Sequence, residues 1–340
     1  MDAHIVTCSG DHSSRITSVE RRVTTHVLHG HTSTVKTICW DPTNDALLAT
    51  GGRDGLICLW DLRTSTTTME DVSVMEPVIV MPNAHGDFTK PTRRTKKTDV
   101  PVPKTVTSII YPDSQPYGLV SSGAANGCAW LVTNKIRNWR HVRILRFWDL
   151  RKPAPLRSTK VKPPSALYST PLDPTTTNGS KRPRGIISLV QGFGPTSGLV
   201  FGLGHDSKIH TYSLPALTAQ STGLSEETMH TSSFYVGLAL SPCGSWLACG
   251  TNNPRSSNFL FEVSGIGRLG TSNYGQRAVQ LHGQGGEMGP VDWADGCLAT
   301  CADDGTVRVW RPDIETYREC MENVNEAQWD WCWSKQAISI

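Results

Sequence analysis

An aspartate in a tight turn, set six residues ahead of a tryptophan, occurs twice in this chain of 340 residues, and that recurrence constrains the fold more than any other feature. Leu48 to Arg63 reads LATGGRDGLICLWDLR, and Leu298 to Arg311 reads LATCADDGTVRVWR. Each runs from an apolar strand through Asp-Gly into a second apolar strand that ends on the tryptophan (Asp54 to Trp60, Asp304 to Trp310). Asp-Gly between two apolar runs predicts a β-hairpin. A Gly-His pair, Gly30-His31, stands 30 residues before Trp60. With 38% apolar residues, 30 glycines and 21 prolines, the chain has the balance expected of many short strands joined by turns. Self-similarity of this kind predicts a stack of repeated units rather than a single core.

The pattern resembles the WD-repeat family, whose signature is a Gly-His, a four-stranded blade and a Trp-Asp. The resemblance implies an all-β fold, a β-propeller, in which His, a strand Ser or Thr, the turn Asp and the Trp form a hydrogen-bonded set inside each blade. Here the matching set is His31, Thr50, Asp54 and Trp60. In the last blade Gln284 stands in the histidine position beside Thr300, Asp304 and Trp310. A His-Asp-Thr set can be mistaken for a catalytic triad, but its return at the repeat period marks it as structural. Thr105 to Arg151, Gly185 to Leu214 and Phe234 to Val263 read as more degenerate blades, and His4 to Val19 as the last two strands of another. The count is five blades and a half over residues 1–311, followed by a tail over 312–340. Since the family's ring usually has seven blades, the expectation is a chain shortened at its N-terminus by about one and a half of them.

Composition narrows the function. Lys and Arg number 33 against 30 Asp and Glu, a net charge of +3. This argues against a strongly basic nucleic-acid coat or an acidic tail. No apolar run approaches the length of a membrane-spanning helix, and Met1 to Gly10 lacks a basic segment followed by an apolar one, so neither a membrane partner nor a secretory signal is expected. The ten cysteines are scattered with no CxxC pair, which predicts reduced, buried thiols and no metal site. No carboxylate pair or histidine cluster stands outside the repeat sets, so neither catalytic residues nor a cofactor is expected.

Three stretches depart from the repeat. Cys128 to Arg143 interrupts the third blade with CAWLVTNKIRNWRHVR, and its removal joins GAANG to ILRFWDLR. Sixteen residues correspond to 48 nucleotides, and the stretch reads as an untranslated segment carried through. The alternative is a basic loop with two tryptophans that binds nucleic acid. The loops Thr64 to Lys104 and Lys152 to Gly185 are rich in Pro and Thr and carry RRTKK and KRPR, which fits solvated inter-blade loops, nuclear import, or a weak contact with DNA. In the tail, Trp329, Trp331 and Trp333 alternate as one face of a strand does, and a strand on the propeller edge is preferred over an exposed hook.

Two blades carry something narrower. Trp60-Asp61-Leu62-Arg63 and Trp148-Asp149-Leu150-Arg151 each set an arginine two residues after the aspartate. This WDxR box resembles the docking signature for the damaged-DNA-binding adaptor of a cullin–RING ubiquitin ligase, with Cys58 standing where a Lys or Arg is usual and Asn126 where the second box would have Asp. Asp and Arg at a blade rim can form charge-assisted hydrogen bonds with a partner. The order of these elements over residues 3 to 311 is similar to the denticleless family. Its best-matching words are Gly51 to Arg63, Asn83-Ala84-His85, Phe147 to Pro153 and Ser233 to Pro242. The resemblance implies a nuclear substrate receptor with no chemistry of its own. Its partners would be the adaptor and degron-bearing proteins on the DNA sliding clamp, with direct nucleic-acid binding weak or absent. The alternatives are a general WD-repeat scaffold and a propeller enzyme.

Overall fold

The computed structural model describes residues 3–64, 67–69, 72–85, 104–113, 118–124, 145–149, 166–170, 174–176, 184–220, 223–253, 258–266, 278–294, 297–311 and 330–332. The described residues are almost all strand and turn, with two single-turn 3-10 helices at Pro174–Thr176 and Gly194–Thr196. The chain divides into two compact units, residues 1–186 with 215–217, and residues 187–214 with 218–340.

In the first unit β1 (His4–Cys8), β2 (Ser13–Ser18) and β3 (Val23–His29) form an antiparallel meander. β4 (Val35–Asp41), β5 (Asn44–Gly52) and β6 (Ile57–Asp61) form a second. Beyond β6 the chain makes a small hairpin, β7 (Thr67–Met69) and β8 (Val72–Met75), which returns to the first sheet. There β8 lies parallel to β3, with Val27 opposite Val74 and Leu28 opposite Met75. β9 (Ile79–Met81) then completes the second sheet outside β6. The third sheet holds β10 (Val106–Ile110), β11 (Gly118–Gly123), β12 (Leu145–Asp149) and β13 (Tyr168–Ser169).

Three further four-stranded sheets follow. They are β14 (Ile186–Gln191), β15 (Leu199–Gly204), β16 (Ile209–Ser213) and β17 (Thr218–Ala219); β18 (Leu238–Leu240), β19 (Trp246–Cys249), β20 (Asn258–Glu262) and β21 (Val279–Leu281); and β22 (Met288–Ala294), β23 (Cys297–Ala302), β24 (Val307–Arg311) and β25 (Asp330–Cys332). The fold of the described residues is therefore all-β, with five four-stranded sheets arranged as WD-repeat propeller blades and a five-stranded sheet at the front.

The front stretch holds more than the two strands its sequence suggests. It supplies three of its own, and the β7–β8 strap adds two more. The stretch from Thr64 to Lys104, read as a loop, thus carries β7, β8 and β9, while residues 86–103 lie outside the described residues. Likewise Lys152 to Gly185 contains β13 and a 3-10 turn. In the tail, β25 runs parallel to β24 with Trp331 opposite Trp310, a strand on the edge of the last sheet; Trp329 and Trp333 lie outside the described residues. So do residues 128–143.

Each unit is held by cores between successive sheets. Strand β6 reads Ile57-Cys58-Leu59-Trp60 without polar interruption because both of its faces are covered. Cys58 and Trp60 join Ile16, Leu28 and Leu48 in the core shared with the first sheet, whereas Ile57 and Leu59 join Val106, Ile109 and Leu119 in the core shared with the third. Met75 of the strap fills the first of these cores. In the second unit Phe201, Leu203, Leu247 and Phe259 form one core, and Leu260, Leu298 and Trp310 another.

The hairpin turns share one device. The residue after the turn aspartate has a left-handed backbone in four sheets: His12 (φ 71°), Gly55 (76°), Ser207 (60°) and Gly305 (80°). In three of these turns the aspartate also accepts the backbone N–H two residues on, at 2.9 to 3.0 Å. Only glycine takes this backbone without steric cost. Exchanging exposed His12 for glycine is therefore expected to stabilise the first unit by about 0.5–1 kcal/mol in urea denaturation. Met75→Ala is expected to cost about 2–4 kcal/mol in the same assay, through the cavity left between the first two sheets.

Candidate functional site

The second blade contains a buried chain of four polar side chains. Trp60 Nε1–H donates to Thr50 Oγ1 at 2.9 Å, and Thr50 Oγ1 lies 2.7 Å from His31 Nε2. His31 Nδ1–H donates to Asp54 at 3.0 Å. With the proton on Nδ1, the ring accepts from Thr50 and every polar atom in the series has a partner. Asp54 also accepts the N–H groups of Thr32 (2.8 Å) and Leu56 (3.0 Å). Burial pushes its carboxyl pKa up, but the hydrogen bonds from His31 and those two amides outweigh burial and hold it below the ordinary 3.8.

The other blades vary this arrangement. In the third, His85 Nε2 lies 3.0 Å from Ser121 Oγ, so Asn83-Ala84-His85 supplies the histidine of that blade as well as opening the basic loop. In the fourth, Asp206 takes its histidine from its own hairpin, His210 Nε2–H donating at 3.0 Å, and Tyr212 occupies the buried tryptophan position. In the last, Trp310 Nε1–H donates to Thr300 Oγ1 at 2.8 Å and the Thr300 hydroxyl to Gln284 Oε1 at 2.5 Å. Gln284 makes no contact with Asp304. Its amide donates instead to the carbonyls of Thr300 and Thr306, while Asp304 accepts from the N–H of Gly285 at 2.8 Å. With the amide donor taken up by those carbonyls, the chain divides there into two parts.

The WDxR box at the end of β6 presents two very different surfaces. Trp60 is fully buried, whereas Arg63 keeps 63% of its side chain exposed. Between them, Asp61 receives both prongs of Arg63: Nε and one terminal nitrogen each donate at 2.8 Å. Arg63 N–H donates to the same carboxylate at 3.0 Å, and the Thr64 hydroxyl donates to the Asp61 carbonyl at 2.8 Å. The hydrogen bond from Arg63 lowers the Asp61 pKa and outweighs burial. The guanidinium is thus fixed on the rim, with its remaining donors toward solvent. Asp45, from the β4–β5 end of the same blade, adds a further negative charge beside it.

Of the second box, Trp148 and Asp149 lie in β12, opposite Leu119 and Gly118, while Leu150 and Arg151 lie outside the described residues. Cys58, at the position where the box usually has a base, is buried in the core with its thiol pKa pushed up by burial to about 12. The expectation of buried thiols holds for Cys58 and Cys249 but not for Cys243, which is exposed in the turn before β19. Among the described residues no group of three or more His, Cys, Asp or Glu side chains is placed to hold a metal ion.

Comparison with known proteins agrees with this geometry. The WD domain, G-beta repeat family matches residues 22–61 and 291–311, the two stretches that carry the complete turn-to-tryptophan interval. Over 323 residues the chain is 28% identical to cell division cycle protein cdt2 of Schizosaccharomyces pombe, covering 92% of this chain and 56% of that one. It is 26% identical over 329 residues to protein lethal(2)denticleless of Drosophila melanogaster, covering 92% of this chain and 37% of that one. The human denticleless protein homolog is 26% identical over 320 residues, covering 90% and 38%. The chain carries WD repeats and is similar to the denticleless and cdt2 proteins over most of its length. It spans between 37% and 56% of the length of these three relatives.

Two outcomes follow from the buried polar chain. Thr50→Val keeps the side-chain shape but leaves Trp60 Nε1–H and His31 Nε2 without a partner. A loss of about 3 kcal/mol is expected in urea denaturation. Because the folded pKa of Asp54 lies below 3.8, its contribution is fully present above that value and is lost as pH falls through the folded pKa. Asp54→Asn should therefore flatten the acid limb of stability measured from pH 5 to pH 2.

Proposed function

We propose that this chain acts as the WD-repeat module of a substrate receptor for a cullin–RING ubiquitin ligase. In this reading it docks the damaged-DNA-binding adaptor through its WDxR boxes and presents replication or cell-cycle proteins, including clamp-bound degrons, in the nucleus. It performs no bond chemistry; other subunits transfer ubiquitin, and the receptor contributes proximity and orientation.

The observation that carries the reading is the state of Arg63. A free arginine on a rim loses rotamer freedom when it docks, whereas the two-pronged contact with Asp61 sets this guanidinium in one place before any partner arrives. Its outward donors then suit a carboxylate or a row of carbonyl groups on the adaptor. Arg151, the arginine of the other box, is proposed to act alongside it. The name of one relative, cell division cycle protein cdt2, supports the cell-cycle setting. The scaffold reading is favoured by the same contact seen from the other side: Arg63 already has a partner within its own blade.

Binding of the purified adaptor to the full chain separates the two. Arg63→Ala is expected to weaken it by about thirtyfold, and Arg63→Ala with Arg151→Ala to abolish it. Affinity for the double variant equal to that of the parent chain would leave a scaffold with ordinary strand ends.

A further inference from the structure

The second blade is covered on two unlike faces. Leu48, Cys58 and Trp60 lie on one, the tryptophan face, and pack on Ile16 and Leu28 of the first sheet. Ala49, Ile57 and Leu59 lie on the other, the reverse face, and pack on Val106, Ile109 and Leu119 of the third. The last blade repeats the first half of this rule. Its Leu298 and Trp310 enter the core shared with Ala248 and Leu260 of the sheet before it.

The turn aspartates carry the same alignment onto the first and last hairpins. Leu48 opposite Trp60 and Thr50 opposite Cys58 correspond to Ile5 opposite Thr17 and Thr7 opposite Arg15. Ala49 opposite Leu59 and Gly51 opposite Ile57 correspond to Ala299 opposite Val309 and Cys301 opposite Val307. The backbone registers agree, yet the burial does not. Leu48 and Ile57 are fully buried, whereas Ile5 is 54% exposed and Val307 is 59% exposed. Thr7 and Arg15 are exposed beside Ile5, and Ala299, Cys301 and Val309 are half-buried beside Val307. The first sheet therefore presents a bare face of the tryptophan type, and the last sheet a bare reverse face. Contiguous exposed apolar residues on a regular sheet mark a contact surface.

Charge says which surface each one fits. In the covered second blade the positions of interest are cysteines, Cys58 on the tryptophan face and Cys39, opposite Ala49, on the reverse face. In the first sheet the Cys58 position is Arg15, whose side chain is 56% exposed and reaches Asp11 only at 3.4 Å. In the last sheet the Cys39 position is Asp292, exposed and opposite Ala299. Two first-sheet faces together would oppose base to base, and two last-sheet faces acid to acid. One of each brings arginine to aspartate and restores the pairing of unlike faces seen around the second blade.

We propose that the first sheet of one copy of this chain docks on the last sheet of a second copy, tryptophan-type face against reverse face, as successive blades do within the chain. Such a contact is heterologous: each pair keeps one bare face at either end and can add further copies. It uses no residue of the WDxR boxes and does not depend on adaptor docking at Arg63.

Sedimentation velocity of the full chain under reducing conditions tests this. The parent chain is expected to be monomeric near about 1 µM and to form dimers and larger species near about 100 µM. Ile5→Lys and Val307→Lys alter positions already exposed, so each should keep the circular dichroism of the parent and remain monomeric at the higher concentration. An equimolar mixture of the two should give a dimer and nothing larger, because each variant retains the face that the other has lost. Arg15→Asp should weaken association by about tenfold or more, and Arg15→Asp with Asp292→Arg in one chain should recover it. A parent chain that stays monomeric, a mixture that fails to pair, or association left intact by either lysine variant alone would overturn the proposal.

Discussion

The hydrogen-bonded series from Trp60 through Thr50 and His31 to Asp54 is the contact on which the second blade turns. It joins the loop before the blade, the middle strand, the hairpin turn and the third strand, and it does so in the interior, where each polar atom would be costly alone. Its members stabilise one another. The Thr50 hydroxyl serves Trp60 and His31 at once, and Asp54 takes the ring and two amides. Close packing follows from this arrangement, because Gly52 lies between His31 and Asp54 with no room for a side chain, where an added methyl would meet both at 2.6 Å.

The variations show which parts of that series are separable. When histidine moves into the hairpin, as His210 does, Asp206 keeps its pair, and the hairpin is tied instead to the segment after the blade, where Thr231 bonds the Gly204 carbonyl and Ser207. When glutamine replaces histidine, as in the last blade, the tryptophan half and the aspartate half each find local donors. What the second, fourth and last blades share is the turn. The aspartate and the left-handed residue after it set the hairpin register before any longer-range contact forms, and register decides which side chains enter which core.

Much of this was legible in the residues because the hairpin members stand at fixed intervals within one short stretch. Thr50, Asp54 and Trp60, and likewise Thr300, Asp304 and Trp310, need no knowledge of the rest of the chain. His85 was not legible as a blade histidine: it stands 63 residues before Trp148, with a long basic stretch between, and it pairs with a serine. The signal was present in Asn83-Ala84-His85, where the spacing was not. The strap was hidden for another reason. Val72-Ser73-Val74-Met75 alternates as a strand should, but its partner, β3, lies before the whole second blade, and parallel pairing across that interval leaves no local mark. The exposure of Phe234 and Tyr235 was masked by their own apolar character, which reads as core until the strand is seen to begin at Leu238.

The strap also bears on how the rim around Arg63 is kept in order. The chain leaves Arg63, runs through Thr64 into the strap, and comes back over the blade at Pro77, which would meet a methyl on Gly30 at 2.8 Å while the Trp60 ring would meet it at 3.1 Å. Val78 N–H then donates to the Leu59 carbonyl at 2.8 Å. Trp60 is thus covered on one side by the strap's return and packed in the same core as Met75. Asp61 is the next residue in that strand, and its carboxylate aims Arg63. A rim arginine is usually a weak determinant because its long side chain samples many positions. This one is fixed at its base by a buried tryptophan and at its tip by a carboxylate, so its direction is set by the packing of two sheets rather than by the surface alone.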